Sequence, residues 1–180
     1  MKGAIFTGFA EFVETKYSLT TWLTLLDSCQ LKSDGEYLAS ELYEDEEFFT
    51  LAQAFSEQVN VPVEDLFSQF GEFFFPTLMS LAVKHISHIN DLFEFLHAVD
   101  SVIHTEVQKA DPLAYTPTLL YDQPQDNTLV MRYISKRKMH YFAVGLILGA
   151  AKYYKQEVDI SITPSDKQGD ESCLIRIERK

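Results

Sequence analysis

The 180-residue chain is predicted to be an α+β protein: an N-terminal helical bundle followed by a four-stranded antiparallel sheet that carries one inserted helix. Three observations predict this class. Apolar residues up to about residue 110 recur at three- and four-residue steps, the period of a helix buried along one face. The last third holds four β-branched or aliphatic runs, and two of them clearly alternate. Turn-like stretches, DQPQDN and PSDKQGDE, divide those runs into two hairpins.

Ile5, Phe6, Phe9, Phe12 and Val13 form a helical stripe over 3–16. Ser18 caps a second helix, Leu19 to Ser28, built around Trp22, Leu25 and Leu26. KSDG at 32–35 interrupts, and Glu46 to Gln58 suits a third helix. Asn60 and Pro62 mark a turn before a fourth helix, Val63 to Phe70. GEFFFPTLMSLAVKHI then starts a new helix, with Pro76 tolerated near its beginning. Asn90 opens the longest regular pattern, DLFEFLHAVDSVIHTEVQK, striped by Leu92, Leu96, Val99, Ile103 and Val107 and ended by Asp111-Pro112. TPTLLY and NTLVMRYIS read as paired strands around the turn DQPQDN. Lys138 to Tyr154 is a helix on which Gly145 and Gly149 permit close approach to the backbone. EVDISIT and SCLIRIE make the second hairpin. The expected organisation is one domain, 1–180, with a helical part over about 1–65 and the remainder over about 66–180.

The bulk properties exclude several functions. A net charge of −12 and a pI of about 4.7 oppose binding to a nucleic-acid backbone or an anionic membrane surface. No run of about 18 uncharged apolar residues is present, so no membrane span is expected. Glu11 and Glu14 interrupt the first apolar run, which is therefore not read as a signal peptide. Cys29 and Cys173 are far apart and outside any metal spacing, which fits a reducing, cytoplasmic compartment. Aromatics reach 13%, enough for dense packing or for the wall of a cavity around a flat apolar ligand.

No phosphate-binding glycine loop, nucleophile elbow or zinc-protease helix motif is present. The stretch RYISKR is more informative. Strand alternation points Tyr133, Ser135 and Arg137 one way and Arg132, Ile134 and Lys136 the other. Three donors in a row suit an anion, although the same pattern fits an exposed strand face. His97 and His104 lie on the long helix beside its apolar stripe, and periodicity does not choose between them. Either can be a partly buried histidine with an ordinary hydrogen-bond partner. A lone imidazole is too little for zinc but enough for heme, where the porphyrin supplies four nitrogens. Heme also brings two propionates, which want an arginine fork and hydroxyl donors. His97 or His104 on iron and Tyr133, Ser135 and Arg137 on the propionates would account for both features.

The segments MKGAIF, DLFSQFGEFFF and VIHTEVQK, then Pro117, RYISKR and MHYFAVGLILGAAKYYKQEVDISI, occur in an order that resembles the heme nitric oxide/oxygen binding (H-NOX) domains. That family includes the sensor domain of soluble guanylate cyclase. The resemblance covers nearly the whole chain. It implies heme b, a ferrous iron protoporphyrin IX, buried between the helical part and the sheet, with His104 as the iron ligand. It further implies that Tyr133, Ser135 and Arg137 bind the propionates, that Pro117 presses on the porphyrin, and that Ile5, Leu119 and Leu146 add to the cofactor contacts. Many members carry Asp three residues before the ligand; here Ser101 stands there and Asp100 precedes it, a change not expected to affect iron binding. His140 and Cys173 fall where some members build a zinc site, but the helix cysteines are missing and no zinc is expected.

Members that hold O₂ place a tyrosine nine residues beyond the motif tyrosine. Here that position is Phe142, and the other implied distal residues are Phe9 and Phe74. Tyr141 is about 100° away around the helix. The implied function is a sensor of NO and CO rather than an O₂ carrier. It would signal through release of His104 to a separate protein, typically a sensor histidine kinase or a cyclic di-GMP enzyme, since 180 residues leave no room for an output domain. Two rival readings are a heme-free interaction module and a heme enzyme. The second needs distal acid–base groups that the expected pocket lacks.

Overall fold

A computed structural model of the chain describes residues 1–165 and 171–180; residues 166–170, the centre of the PSDKQGDE turn, lie outside the described residues. The architecture mixes helices with a four-stranded antiparallel sheet of order β1-β2-β4-β3. The described residues form two compact units, Met1–Phe70 and Gly71–Lys180. Their division lies a few residues beyond the boundary expected near 65 and inside one helix.

The first unit contains α1 (Gly3–Lys16), α2 (Leu19–Ser28), α3 (Asp45–Val59) and the start of α4 (Val63–Ile86). Ser18 caps α2 as its sequence predicts, accepting from the Thr21 N–H at 3.0 Å. The apolar faces converge on an aromatic core in which Phe6, Phe9, Phe12, Phe48, Phe55 and Phe70 are fully buried. Phe9 meets Phe48, Phe55 and Phe70 edge-to-face at 5.4, 5.8 and 5.3 Å, the geometry that ring quadrupoles favour. The loop before α3 is held by the buried Glu47 carboxylate, which accepts from the Lys32 N–H, the Ser33 hydroxyl and the Tyr37 hydroxyl. Burial pushes the Glu47 carboxyl up, but these donors outweigh it and leave the group below the usual glutamate range.

α4 corrects one expectation. The helix expected to break after Phe70 runs on without interruption to Ile86, with Pro76 in its interior. Proline removes one backbone bond and costs about 3 kcal/mol in such a place. Pro76 sits on the exposed face, however, while Leu66, Phe70, Phe74, Phe75, Met79, Ala82 and Ile86 keep one buried row in step. Burying such side chains is worth roughly 1.5–3 kcal/mol each for the larger ones, so the row outweighs the proline. By length and composition alone α4 passes for a membrane span, but its buried row is that of a core helix.

The second unit holds the rest of α4, α5 (Leu92–Ala98), a π-helical turn (Val99–His104), α6 (Thr105–Ala110), β1 (Thr118–Gln125), β2 (Thr128–Ile134), α7 (His140–Tyr153), β3 (Val158–Pro164) and β4 (Ser172–Arg179). The long regular helix expected over 91–110 is thus split by the π turn. Its apolar stripe survives at Leu92 and Leu96, weakens at Val99 and Ile103, and reaches solvent at Val107. An i→i+5 turn winds fewer degrees per residue, so positions on either side of it lose their common phase. β1 also runs further than expected, through Pro124 to Gln125, leaving Asp126-Asn127 as the turn. It is an edge strand with a register shift between Asp122 and Gln125, a place where proline's missing N–H is tolerated.

Leu129, Met131, Tyr133, Cys173, Ile175 and Ile177 cover the inner face of the sheet and share a core with Ile147, Ala150, Leu92 and Phe93. The glycines of α7 meet α4. A Cβ on Gly71 would stand 2.2 Å from the Phe142 carbonyl oxygen and 3.0 Å from Gly145 Cα, and one on Gly149 would stand 2.5 Å from Phe75 Cβ. The sheet side of the unit is tied to α5 by Asp91. Its carboxylate caps the helix through the Phe93 and Glu94 N–H groups and takes Arg179 Nη2 on both oxygens, at 2.6 and 2.7 Å.

Candidate functional site

His104 closes the π turn. Its ring Nδ1 lies 3.3 Å from Asp100 Oδ1; the carboxylate can only accept, so Nδ1 carries the proton. The same oxygen accepts the Leu119 N–H at 3.3 Å. One carboxylate therefore ties the imidazole to the start of β1. The side chain of His104 is 16% exposed and that of Asp100 38%. Burial lowers the His104 pKa, while the Asp100 carboxylate and the Pro117 carbonyl oppose that shift. His97 stands apart from this arrangement. It is exposed and packs its ring on Tyr121 at 4.6 Å, and the intervening π turn is why the two histidines do not share a face.

The RYISKR segment departs from its predicted form. β2 ends at Ile134, so Ser135 and Arg137 follow the strand and lie at a turn closed by the Lys138 N–H on the Ser135 carbonyl at 3.1 Å. The alternation persists in burial all the same: Tyr133 and Ser135 are buried and Arg137 half-buried, while Arg132 and Lys136 are exposed. The turn preserves the alternation because Ser135 Oγ accepts the Arg137 N–H at 3.2 Å. Burial pushes the Tyr133 phenol up to about 12, so it is a neutral hydroxyl donor at any physiological pH.

The two clusters adjoin. Leu119, bonded through its N–H to Asp100, is the cross-strand partner of Tyr133. Imidazole, Asp100, Leu119, Tyr133, Ser135 and Arg137 thus form a continuous path in the second unit, with Pro117 beside the imidazole. Leu146 is partly buried on the middle of α7. Phe74 and Phe142 are buried with ring centroids 6.5 Å apart, and Tyr141 turns its ring onto His140 at 4.6 Å. Ile5 and Phe9 belong to the first unit, where Ile5 is half-buried and Phe9 is held in the aromatic core.

Two residues of this region were missed or misjudged from the sequence. Asp100 looked one position out of place; its i,i+4 spacing sets its carboxylate beside the imidazole. Tyr115 carries no motif signal, yet it bonds Ser135, Lys136 and Arg137. Cys173 pairs across the sheet with Tyr133, and burial pushes its thiol up to about 11, so it is an inert core residue at neutral pH.

This donor set fits a heme. Among the described residues no group of three or more His, Cys, Asp or Glu side chains gathers for a metal ion. One anchored imidazole and a separate cluster of hydroxyl and guanidinium donors are what a porphyrin with a single protein ligand and two carboxylates requires.

Residues 2–162 match the family model described as Haem-NO-binding. Soluble guanylate cyclase gcy-35 of Caenorhabditis elegans is 25% identical over 171 residues, which are 90% of this chain; the chain spans only 24% of that relative's length. The crystal structure of the Fe(II) unliganded H-NOX protein from K. algicida has a TM-score of 0.91 at 29% identity, covering 100% of this chain and 97% of that one. The H-NOX protein from S. oneidensis in the Fe(II)NO ligation state has a TM-score of 0.89 at 28% identity, covering 100% and 99%.

Proposed function

The chain belongs to the haem-NO-binding family of gas-sensor domains, and from that premise we propose that it senses NO and CO at a ferrous heme b, stabilises O₂ poorly, and reports to a separate protein. The observation that carries the reading is the continuous path from the anchored imidazole of His104 to the Tyr133, Ser135 and Arg137 donors. A heme bound there supplies the ferrous iron at which the gas is held.

The residues have distinct tasks. His104, with Nδ1 committed to Asp100, would offer Nε2 to the iron, and the carboxylate would raise the basicity of the ring. Tyr133, Ser135 and Arg137 would hold the propionates, and Pro117 and Leu119 would add contacts to the porphyrin. Phe74 and Phe142 supply apolar wall and no hydrogen-bond donor, and Tyr141 is turned away onto His140. O₂ gains much from a donor and NO little. Lacking a bond worth roughly 1.5–3 kcal/mol lowers O₂ affinity by about tenfold to more than a hundredfold.

Displacement of His104 is the output event in this reading. Asp100, bonded to the Leu119 N–H as well as to the imidazole, would pass that displacement to the sheet, as a two-state element that a gas can bias requires. The free cysteines fit a reducing cytoplasm. The partner class is a sensor histidine kinase or an enzyme of cyclic di-GMP metabolism, and the acidic surface favours a basic docking patch on it. Absorption spectra of the reconstituted ferrous protein test the assignment. NO and CO should each shift the Soret band while air leaves no stable oxy species; a persistent ferrous–oxy spectrum in air would refute the selectivity.

A further inference from the structure

Tyr115 lies in the segment that joins α6 to β1, two residues before Pro117. It is 37% exposed, and nothing in its sequence context marks it. Its side chain and its carbonyl nevertheless make a set of contacts with one target. The phenol oxygen accepts the Lys136 N–H at 3.0 Å and donates to Ser135 Oγ at 3.5 Å. The Tyr115 carbonyl accepts Arg137 Nη1 at 3.2 Å. The ring lies beneath two cations, with Arg137 Cζ at 4.8 Å and Lys136 Nζ at 4.9 Å from its centroid.

These contacts address the part of the motif that β2 leaves unsupported. Tyr133 is fixed by its place in the sheet, between Leu119 and Cys173. Ser135 and Arg137 follow the last strand residue, and a guanidinium on a long side chain loses much rotamer freedom when it is held in one place. A residue that aligns the guanidinium beforehand lowers that loss when an anion binds. A hydroxyl on the Lys136 N–H and a ring under Arg137 give such alignment, and neither contact occupies all of the five guanidinium donors.

We propose that Tyr115 is a fourth member of the carboxylate clasp, a positioning residue that holds Ser135 and Arg137 ready for the propionates and ties them to the segment carrying Pro117. The inference rests on the heme reading above and deepens it. Its consequence is kinetic: the clasp opens more often without Tyr115, so heme leaves faster, with His104 untouched.

The test uses the full chain loaded with heme, with Tyr115→Phe and Tyr115→Ala beside the unsubstituted protein. Heme loss to excess apomyoglobin gives the rate, the resonance Raman propionate-bending bands report the clasp, and thermal unfolding of the heme-free chains reports the fold. Removing the hydroxyl alone should speed loss about threefold, and removing the ring as well about tenfold. The propionate bands should move in both variants while heme-free stability stays in place. Unchanged rates and bands in both variants would overturn the proposal. So would faster loss that merely tracks a lower stability of the heme-free chain. An unsubstituted chain that takes up no heme overturns the functional reading itself, and the inference with it.

Discussion

Asp100→Ala removes one oxygen that serves two donors, the His104 ring and the Leu119 N–H. Both bonds are 3.3 Å long, just beyond the usual range, and Asp100 is 38% exposed, so each belongs below the range for a charged acceptor. Taking about 1 kcal/mol for each gives about 2 kcal/mol together, or about 30-fold in the unfolding equilibrium. Urea unfolding of the heme-free chain should show that loss as a lower midpoint at unchanged slope. Asp100→Asn keeps a neutral acceptor and should lose about half as much. In the heme-loaded protein the iron–imidazole stretch should fall in the alanine variant, because the ring loses the partner that raises its basicity, with a drop in heme affinity of about 10- to 100-fold. Unchanged stability together with an unmoved stretch would show that the 3.3 Å contacts carry no weight.

Asp91→Ala should destabilise the chain by about 2 kcal/mol in urea unfolding, combining a lost helix cap with the lost Arg179 pair. Burial raises the Asp91 carboxyl, but Gln156, the Glu94 N–H and Arg179 outweigh it and hold it below the usual aspartate range. Its contribution is therefore complete above about pH 4 and lost as pH falls through the depressed value, so the gap between variant and parent should narrow in acid. Gly3→Ala places a Cβ on the Leu38 carbonyl oxygen and must displace the backbone there; a loss of about 1–3 kcal/mol is expected, with faster proteolysis near residues 38–42. Pro117→Ala should leave heme bound but flatten it, read from the out-of-plane Raman bands; unchanged bands would remove Pro117 from the account.

The helix periodicity and strand alternation were enough to locate nearly every element, because one buried face per element writes its period into the sequence. The departures have local causes. Pro76 looked like a helix start because a proline inside a helix is costly, and only the buried row on the opposite face shows why α4 continues. The π turn was invisible because no residue type marks it, and it separates His97 from His104. Ser135 and Arg137 kept their predicted side without the strand that was to provide it, through the Ser135 Oγ bond. Tyr115 could not be found at all, since a contact across 20 residues of sequence leaves no periodic trace.

The claim on which the account depends is that His104 alone ties iron to the protein. Heme uptake by His104→Gly, followed by absorption in the ferrous state with and without added imidazole, tests it most directly. The account predicts that five-coordinate heme is lost or greatly weakened without imidazole and restored by it. A normal five-coordinate ferrous spectrum in His104→Gly with no imidazole present would contradict it.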